Sequence, residues 1–388
     1  MKYRKNILIC LFAVLFVFSG ICGNTDIDLV ARASNGHGML CKSQDKKILM
    51  LSGNPEQIGT AHGELMKKDI GEMVDRIFLM AGAYAMSEDD WFFTRIGEVM
   101  SRTKPFMPER FMRECDAMSK AAGISVENGR QMNFFPEMFH CSGFAVRGKA
   151  SLNGRILHAR VLDYLSEIGL QNNAVLMLFM PDGNNKWISV SYAGFIGTVT
   201  AMNEKGLAIG EMGGRGKGLW DGMPMSFLLR EIMEKASNVE DALKIMKDTP
   251  RTCEYDYVIS DKTGNMVAVD SIGKEPLEIL RAGEQNEKLP PVPEDTVFIS
   301  AGKRAEALSM RLKENYGKID EKTMIEIMKR PVAMSSNLHN AVFAPETLDV
   351  WFADATKRSP ACNNPYAAVN LKKLAEFYSG NINPTAGR

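Results

Sequence analysis

The chain has 388 residues, 45% hydrophobic and 24% charged, the composition of a globular protein of one large or two ordinary domains. Lys plus Arg and Asp plus Glu both number 47, so the formal net charge is zero. No basic excess exists to neutralise phosphates, which excludes nucleic acid as the natural partner.

Lys2, Arg4 and Lys5 precede an unbroken apolar run from Ile7 to Phe18, and small residues Ser19, Gly20 and Gly23 follow. This is the layout of an export signal cleaved near residues 20–23, too short for a comfortable membrane span. Residues 1–23 are therefore expected to leave an exported protein, periplasmic or secreted, with no transmembrane span in the mature chain. Cys22 is a candidate for lipid anchoring, although Ile21 is bulky where lipoprotein signals place a small residue. Cys10 and Cys22 go with the signal, and Cys41, Cys115, Cys141, Cys253 and Cys362 stay. An odd number in an oxidising compartment leaves one thiol over. With Cys141 free, the other four can pair as two disulfides in any of three ways. No Cys-x-x-Cys pair points to zinc. The 26 methionines read first as flexible core filler.

A short strand is expected at 47–52. One helix follows over 55–80, where Ile58, Ala61, Leu65, Ile70, Met73, Val74 and Ile77 recur at helical spacing. Further helices are expected at 87–104, 108–122 and 126–134, so the first third of the chain reads as helical. At Cys141 the pattern changes. Strands at 142–149 and 155–162 flank Asn153-Gly154, a two-residue hairpin signal. Three more hairpins are expected: 174–180 with 187–192, 198–202 with 207–211, and 255–260 with 266–270. Helices are expected at 224–236 and 239–247, a surface loop at 283–295, and helices at 303–315 and 321–329. Strands at 338–344 and 348–353 and a helix at 367–378 complete the series. Antiparallel hairpins with helices before, between and after them give an α+β fold of two stacked sheets covered by helices. Residues 24–140 form a helical, propeptide-like segment that builds one domain with 141–388.

Cys141 carries the most chemical information. It heads Cys141-Ser142-Gly143-Phe144, and across the hairpin comes Arg160-Val161-Leu162-Asp163. A nucleophilic thiol needs nearby positive charge and a base. Arg160 can supply the charge. If the His140–Cys141 bond is hydrolysed, the new α-amine of Cys141, with an ordinary pKa of about 8, lies beside its own sulfur and can take the thiol proton. Asp163 can hold that amine. With a simple two-residue turn, Leu152 pairs with Arg155 and Asp163 falls opposite Phe144, on the face away from Cys141. Arg160 and Asp163 also differ in parity, so the site is expected to need a bulge, a longer turn or strand termination near Val161–Asp163. His158 and His62 are expected to be structural. Asn203, in Asn-Glu-Lys-Gly, is expected to be a turn residue.

These residues resemble the N-terminal nucleophile hydrolases of the isopenicillin N acyltransferase-like group, related to choloylglycine hydrolases, acid ceramidase and N-acylethanolamine amidases. The resemblance rests on Cys141-Ser142 with His158-Ala159-Arg160-Val161-Leu162-Asp163-Tyr164, on Gly59-Thr60-Ala61-His62-Gly63-Glu64-Leu65, on Gly194-Phe195-Ile196-Gly197 with Met202 to Leu207, and on Ser336 to Phe343 with Pro345-Glu346-Thr347-Leu348. It implies a four-layer αββα sandwich and a precursor cut before the nucleophile. It makes Cys141 the nucleophile and new N-terminus, Arg160 and Asp163 its supporting pair, and Asn337 the oxyanion donor, with Asn340 second. Met212-Gly213-Gly214 stands where choloylglycine hydrolases carry a further asparagine, which argues against a bile-salt amidase. The implied activity is that of an amidohydrolase or acyltransferase on a small-molecule N-acyl amide, without metal or organic cofactor. The alternatives are an inactive protein of the same fold that binds an acylated ligand, and a papain-like protease with His339 as base.

Overall fold

The computed structural model describes residues 27–88, 92–134, 140–164, 166–215, 218–285, 287 and 289–382. The expected export signal, with Cys10 and Cys22, lies outside the described residues. In chain order the strands are β1 (Asp28–Arg32), β2 (Gly38–Ser43), β3 (Lys46–Gly53), β4 (His140–Gly148), β5 (Gly154–Asp163), β6 (Ala174–Pro181), β7 (Trp187–Tyr192), β8 (Thr200–Asn203), β9 (Leu207–Arg215), β10 (Glu254–Asp261), β11 (Met266–Ile272), β12 (Glu278–Arg281), β13 (Thr296–Ile299), β14 (Asn337–Ala344), β15 (Asp349–Asp354) and β16 (Ala367–Asn370). The helices are α1 (Pro55–Leu65), α2 (Lys67–Glu88), α3 (Phe92–Thr103), α4 (Glu109–Ala122), α5 (Val126–Phe134), α6 (Met225–Lys235), α7 (Val239–Asp248), α8 (Gly302–Glu314), α9 (Glu321–Met328) and α10 (Leu371–Ile382).

The strands form a ten-stranded sheet, β1-β2-β3-β6-β7-β8-β9-β10-β11-β12, and a six-stranded sheet, β13-β4-β5-β14-β15-β16. Strand alternation sorts the side chains into layers. On the smaller sheet, Phe144, Val146, Leu157, Ala159 and Val161 face outward and pack with Leu308, Leu312, Met324 and Ile327 of α8 and α9. Their neighbours face the larger sheet. Ile48, Met50, Leu176, Leu178, Ile188 and Met202 meet Ala341 and Phe343 between the sheets, and Leu371, Leu374 and Tyr378 of α10 join that core. The opposite face of the larger sheet, with Leu49, Leu51, Phe179, Trp187 and Ile209, packs under the remaining helices. The result is the four-layer αββα sandwich expected. No helix among the described residues is long and apolar enough to cross a membrane.

The first third of the chain departs from the expectation of a helical segment with one strand. It supplies three strands, and β3 pairs in parallel with β6. The single helix expected over 55–80 is two, divided at Met66, the C-cap of α1. The conspicuous Gly59 and Gly63 of α1 have a packing reason. An added Cβ would lie 2.2 Å from the Glu114 carbonyl oxygen at Gly59 and 2.2 Å from that of Met118 at Gly63. The pair therefore lets α1 and α4 approach backbone to backbone.

Candidate active site

The β4–β5 hairpin sets the geometry. Leu152 does not pair with Arg155 as a two-residue turn requires; its N–H donates to the Ile319 carbonyl at 2.8 Å instead. The ladder begins at Gly148 opposite Gly154, and its register shifts between Val146 and Gly148. Asp163 consequently stands opposite His140 rather than Phe144. The displacement is four residues, an even number, so no side chain changes face. Cys141 lies opposite Leu162 and Gly143 opposite Arg160 on the inner face, while Ser142 and Asp163 look outward. Alternation is kept, and β5 ends at Asp163. The Asp163 carboxylate and the Arg160 guanidinium thus leave β5 on opposite faces, one on the outer side and one on the inner side that Cys141 shares.

On the inner side, the Arg160 guanidinium lies 3.3 Å from the Glu211 carboxylate of β9, and both side chains are completely buried. Arg160 also donates to the Val161 carbonyl at 2.5 Å. The stem of Arg160 runs past Gly210, where an added Cβ would meet its Cδ at 2.8 Å. A Cβ at Gly143 would meet Met212 Sδ at 2.7 Å. The two sheets therefore touch through glycines just beside the thiol. Burial pushes the Cys141 thiol up to about 11, with Arg160 pulling it down and Glu211 and Asp163 pushing it up. Cys141 is therefore a thiol at neutral pH, and Arg160 alone does not ionise it.

On the outer side, Asp163 is 2% exposed. Its Oδ2 accepts from Arg304 of α8, and its Oδ1 accepts the Met334 N–H at 2.9 Å. Burial still pushes its carboxyl up to about 6, against the lowering effect of Arg304. Arg304 also donates to Ser142 Oγ at 2.7 Å and, through Nε, to the Val332 carbonyl at 2.8 Å. Ser142 Oγ is 2.8 Å from Ser300 Oγ.

Asn337 and Asn340 stand on β14, next to β5, with Asn337 in register with Asp163. The Asn337 amide nitrogen donates to the Leu162 carbonyl at 2.9 Å and to Asn340 Oδ1 at 2.8 Å, and its Oδ1 accepts the Cys362 N–H at 2.8 Å. Asn340 in turn donates to Tyr366 Oη at 2.9 Å. Asn337 is therefore a clamp on the residue facing Cys141, with both amide hydrogens committed. His339 is no base for Cys141: Nδ1 bonds Tyr192 Oη at 3.0 Å and Nε2 bonds Thr200 Oγ1 at 2.9 Å. Its imidazole is held well below its ordinary pKa by burial and by Arg160, which keeps it neutral. His158 bonds Ser260 at 2.9 Å, and His62 accepts the Gly194 N–H at 3.0 Å. Both are driven down to about 3 by burial, as suits structural histidines. Asn203 is the expected turn residue, its Oδ1 accepting the Lys205 and Leu207 N–H groups at 3.1 Å. Cys41, Cys115, Cys141, Cys253 and Cys362 are all buried and none is in a disulfide, so the two disulfides entertained from the sequence are not formed.

A cavity of about 640 Å³ opens beside Cys141. Its wall includes Met212, Gly213, Asp256, Asp270, Arg304 and Met334. A smaller apolar cleft of about 60 Å³, lined by Leu162, Tyr164, Tyr192, Phe195 and Leu338, lies on the other side of the β5 terminus. Glu211 and Arg304 went unnoticed in the sequence. A carboxylate inside the apolar run Leu207 to Met212 was the signal for the first; Arg304 left none.

The αββα sandwich, with Cys141 near the start of β4, is the fold that the resemblance read from the sequence implies. Residues 154–287 match the family described as acyl-coenzyme A:6-aminopenicillanic acid acyl-transferase, which agrees with the resemblance read from the sequence. The chain is 25% identical to protein dcd1B of Dictyostelium discoideum, over 88% of this chain and 78% of that protein. It is 23% identical to the N-acylethanolamine-hydrolyzing acid amidase of Mus musculus, over 47% of this chain and 53% of that one. Among solved structures, it matches the Caenorhabditis elegans ortholog of that amidase with a TM-score of 0.45 at 16% identity, covering 53% of this chain and 93% of the other. It also matches the penicillin V acylase of Agrobacterium tumefaciens with a TM-score of 0.42 at 12% identity, covering 60% and 87%.

Proposed function

We propose that this protein is an exported cysteine amidohydrolase or acyltransferase that is cut before Cys141 and acts on a non-peptide N-acyl amide through a thioester. The observation that carries the reading is the placement of Cys141. A free, buried thiol borders a cavity large enough for a small-molecule ligand, with a buried cation on its inner side and a buried carboxylate beside the main-chain bond that precedes it.

In this reading the His140–Cys141 peptide bond is hydrolysed and Cys141 gains a free amine. A thiol pushed up to about 11 needs a base, and the new amine is the base nearest to it. The amine takes the thiol proton, and the thiolate attacks the acyl carbonyl. The amine then returns the proton to the departing nitrogen, which leaves a thioester that water or a second amine resolves. Arg160 keeps positive charge near the sulfur, with Glu211 fixing its direction. Asp163 holds the amine. Asn337 is the proposed oxyanion donor, a role that requires its Nδ2 to exchange the Leu162 carbonyl for the substrate oxygen. Proteins of similar sequence act on N-acylethanolamines, by their names, which is consistent with a small acyl amide here.

Intact mass of the mature protein, with turnover of an N-acyl amide panel, tests the proposal. The expected result is two chains, one ending at His140 and one beginning at Cys141, and loss of both cleavage and turnover in Cys141→Ala. A single chain without turnover and resistant to iodoacetamide at Cys141 overturns it in favour of a binding protein.

A further inference from the structure

Asp163 is enclosed from several elements, and one contact stands out. From α8 comes Arg304; from the segment before β14 comes the Met334 amide; from β14 comes Asn337; and Arg160 lies on the inner side of the same strand. The titratable neighbours are the thiols of Cys141 and Cys362. Arg304 is the cation in direct contact with the carboxylate. It does not suit its own helix. It sits in the first turn of α8, a turn with no acidic residue and no side-chain cap, where the helix dipole disfavours positive charge. Its donors are instead spent on Asp163, on Ser142 next to the nucleophile and on the Val332 carbonyl. The same side chain lines the cavity beside Cys141.

We propose that Arg304 is a positioning residue that keeps Asp163 ionised and aimed at the His140–Cys141 junction. The inference rests on the proposed catalytic reading. Without a cation in contact, burial favours the neutral acid, and a neutral Asp163 cannot hold the amine of Cys141 in place. Arg304 acts on the amine as well. A guanidinium beside Asp163 partly compensates its charge, which limits how strongly the carboxylate stabilises the protonated, non-basic amine. Removing the guanidinium raises the pH at which Asp163 ionises and the pH at which the amine becomes a base. Both changes move the acid limb of activity the same way.

The test is the pH profile of kcat/KM for the processed protein, on whichever N-acyl amide the wild type turns over, in Arg304→Gln and Arg304→Lys. Arg304→Gln is expected to move the acid limb up by about one pH unit, a roughly tenfold loss on that limb with a much smaller loss at alkaline pH. Arg304→Lys, which keeps the charge, is expected to keep the wild-type limb. A wild-type acid limb in Arg304→Gln, or a lysine variant shifted as far as the glutamine one, overturns the inference. If the glutamine variant does not fold, the lysine variant decides: an unmoved limb supports the inference and a moved one sinks it. Failure of the catalytic reading shows separately, as a wild-type protein that is uncut and inactive.

Discussion

Asp163 carries an energetic liability that can be measured without any substrate. Its folded-state carboxyl is raised from an ordinary 3.8 to about 6, first because it is buried. The fold therefore favours the protonated form, and the stability it contributes is fully present below about pH 4 and is lost as the pH rises through about 6. The shift corresponds to about 3 kcal/mol. In the uncut Cys141→Ala protein, the unfolding free energies with Asp163 and with Asp163→Asn are expected to diverge by about that amount between pH 4 and pH 7, with the asparagine protein gaining. A difference that stays flat across this range in urea titrations would show that Asp163 is not shifted. At this scale the sequence was legible where chemistry clusters along the chain: Cys141, Arg160 and Asp163 sit within one hairpin of each other. It was not legible where partners meet only after folding. Arg304 is separated from Asp163 by 141 residues, and Glu211 from Arg160 by 51.

The hairpins were readable as elements because turn chemistry and alternation agree. Asn153 and Gly154 both adopt positive φ, as the dipeptide requires. Register was not readable, because a tertiary bond from Leu152 to Ile319 lengthens the loop. Short or exposed strands escaped notice for a related reason. β1 is mostly exposed and β12 and β13 have four residues each, too few for a periodic pattern. Ala367-Ala-Val-Asn370 looked like the first turn of the last helix but pairs as β16. The close contact of β9 with β5 was equally hidden, since a glycine in a strand gives no hint of what lies against it. Gly210→Ala places a Cβ 2.8 Å from Arg160 Cδ. It is expected to cost about 1–3 kcal/mol in denaturant unfolding, the usual cost of an overpacked interior, and to lower turnover by turning Arg160 away from Cys141. Unchanged stability and turnover would show that β9 and β5 can part without consequence.

The whole molecule is bound together across the proposed cut. The segment before Cys141 supplies three strands of the larger sheet and the α1–α4 pair, so it is a structural part of the sandwich. It also grips the loop Gly194-Phe195-Ile196-Gly197 that the sequence singled out. His62 accepts the Gly194 N–H, Asn133 donates to the Gly194 carbonyl and accepts the Ile196 N–H at 2.8 Å, and Arg230 donates to the Ile196 carbonyl at 2.8 Å. Arg230 is locked in turn by a bidentate bond to Glu114 at 2.6 and 2.7 Å, buried with it. Glu114 lies before the proposed cut and Arg230 after it, so one buried ion pair would span the two pieces. Cleavage should therefore leave a complex that migrates as one species under native conditions and separates into two chains only on unfolding. Glu114→Gln takes the charge from a buried partner, which costs about 3–5 kcal/mol. It is expected to lower the denaturant midpoint of unfolding and to bring dissociation of the cleaved chains to the same lowered midpoint. Chains that part well below the unfolding midpoint would show that the N-terminal piece is only an accessory to the fold.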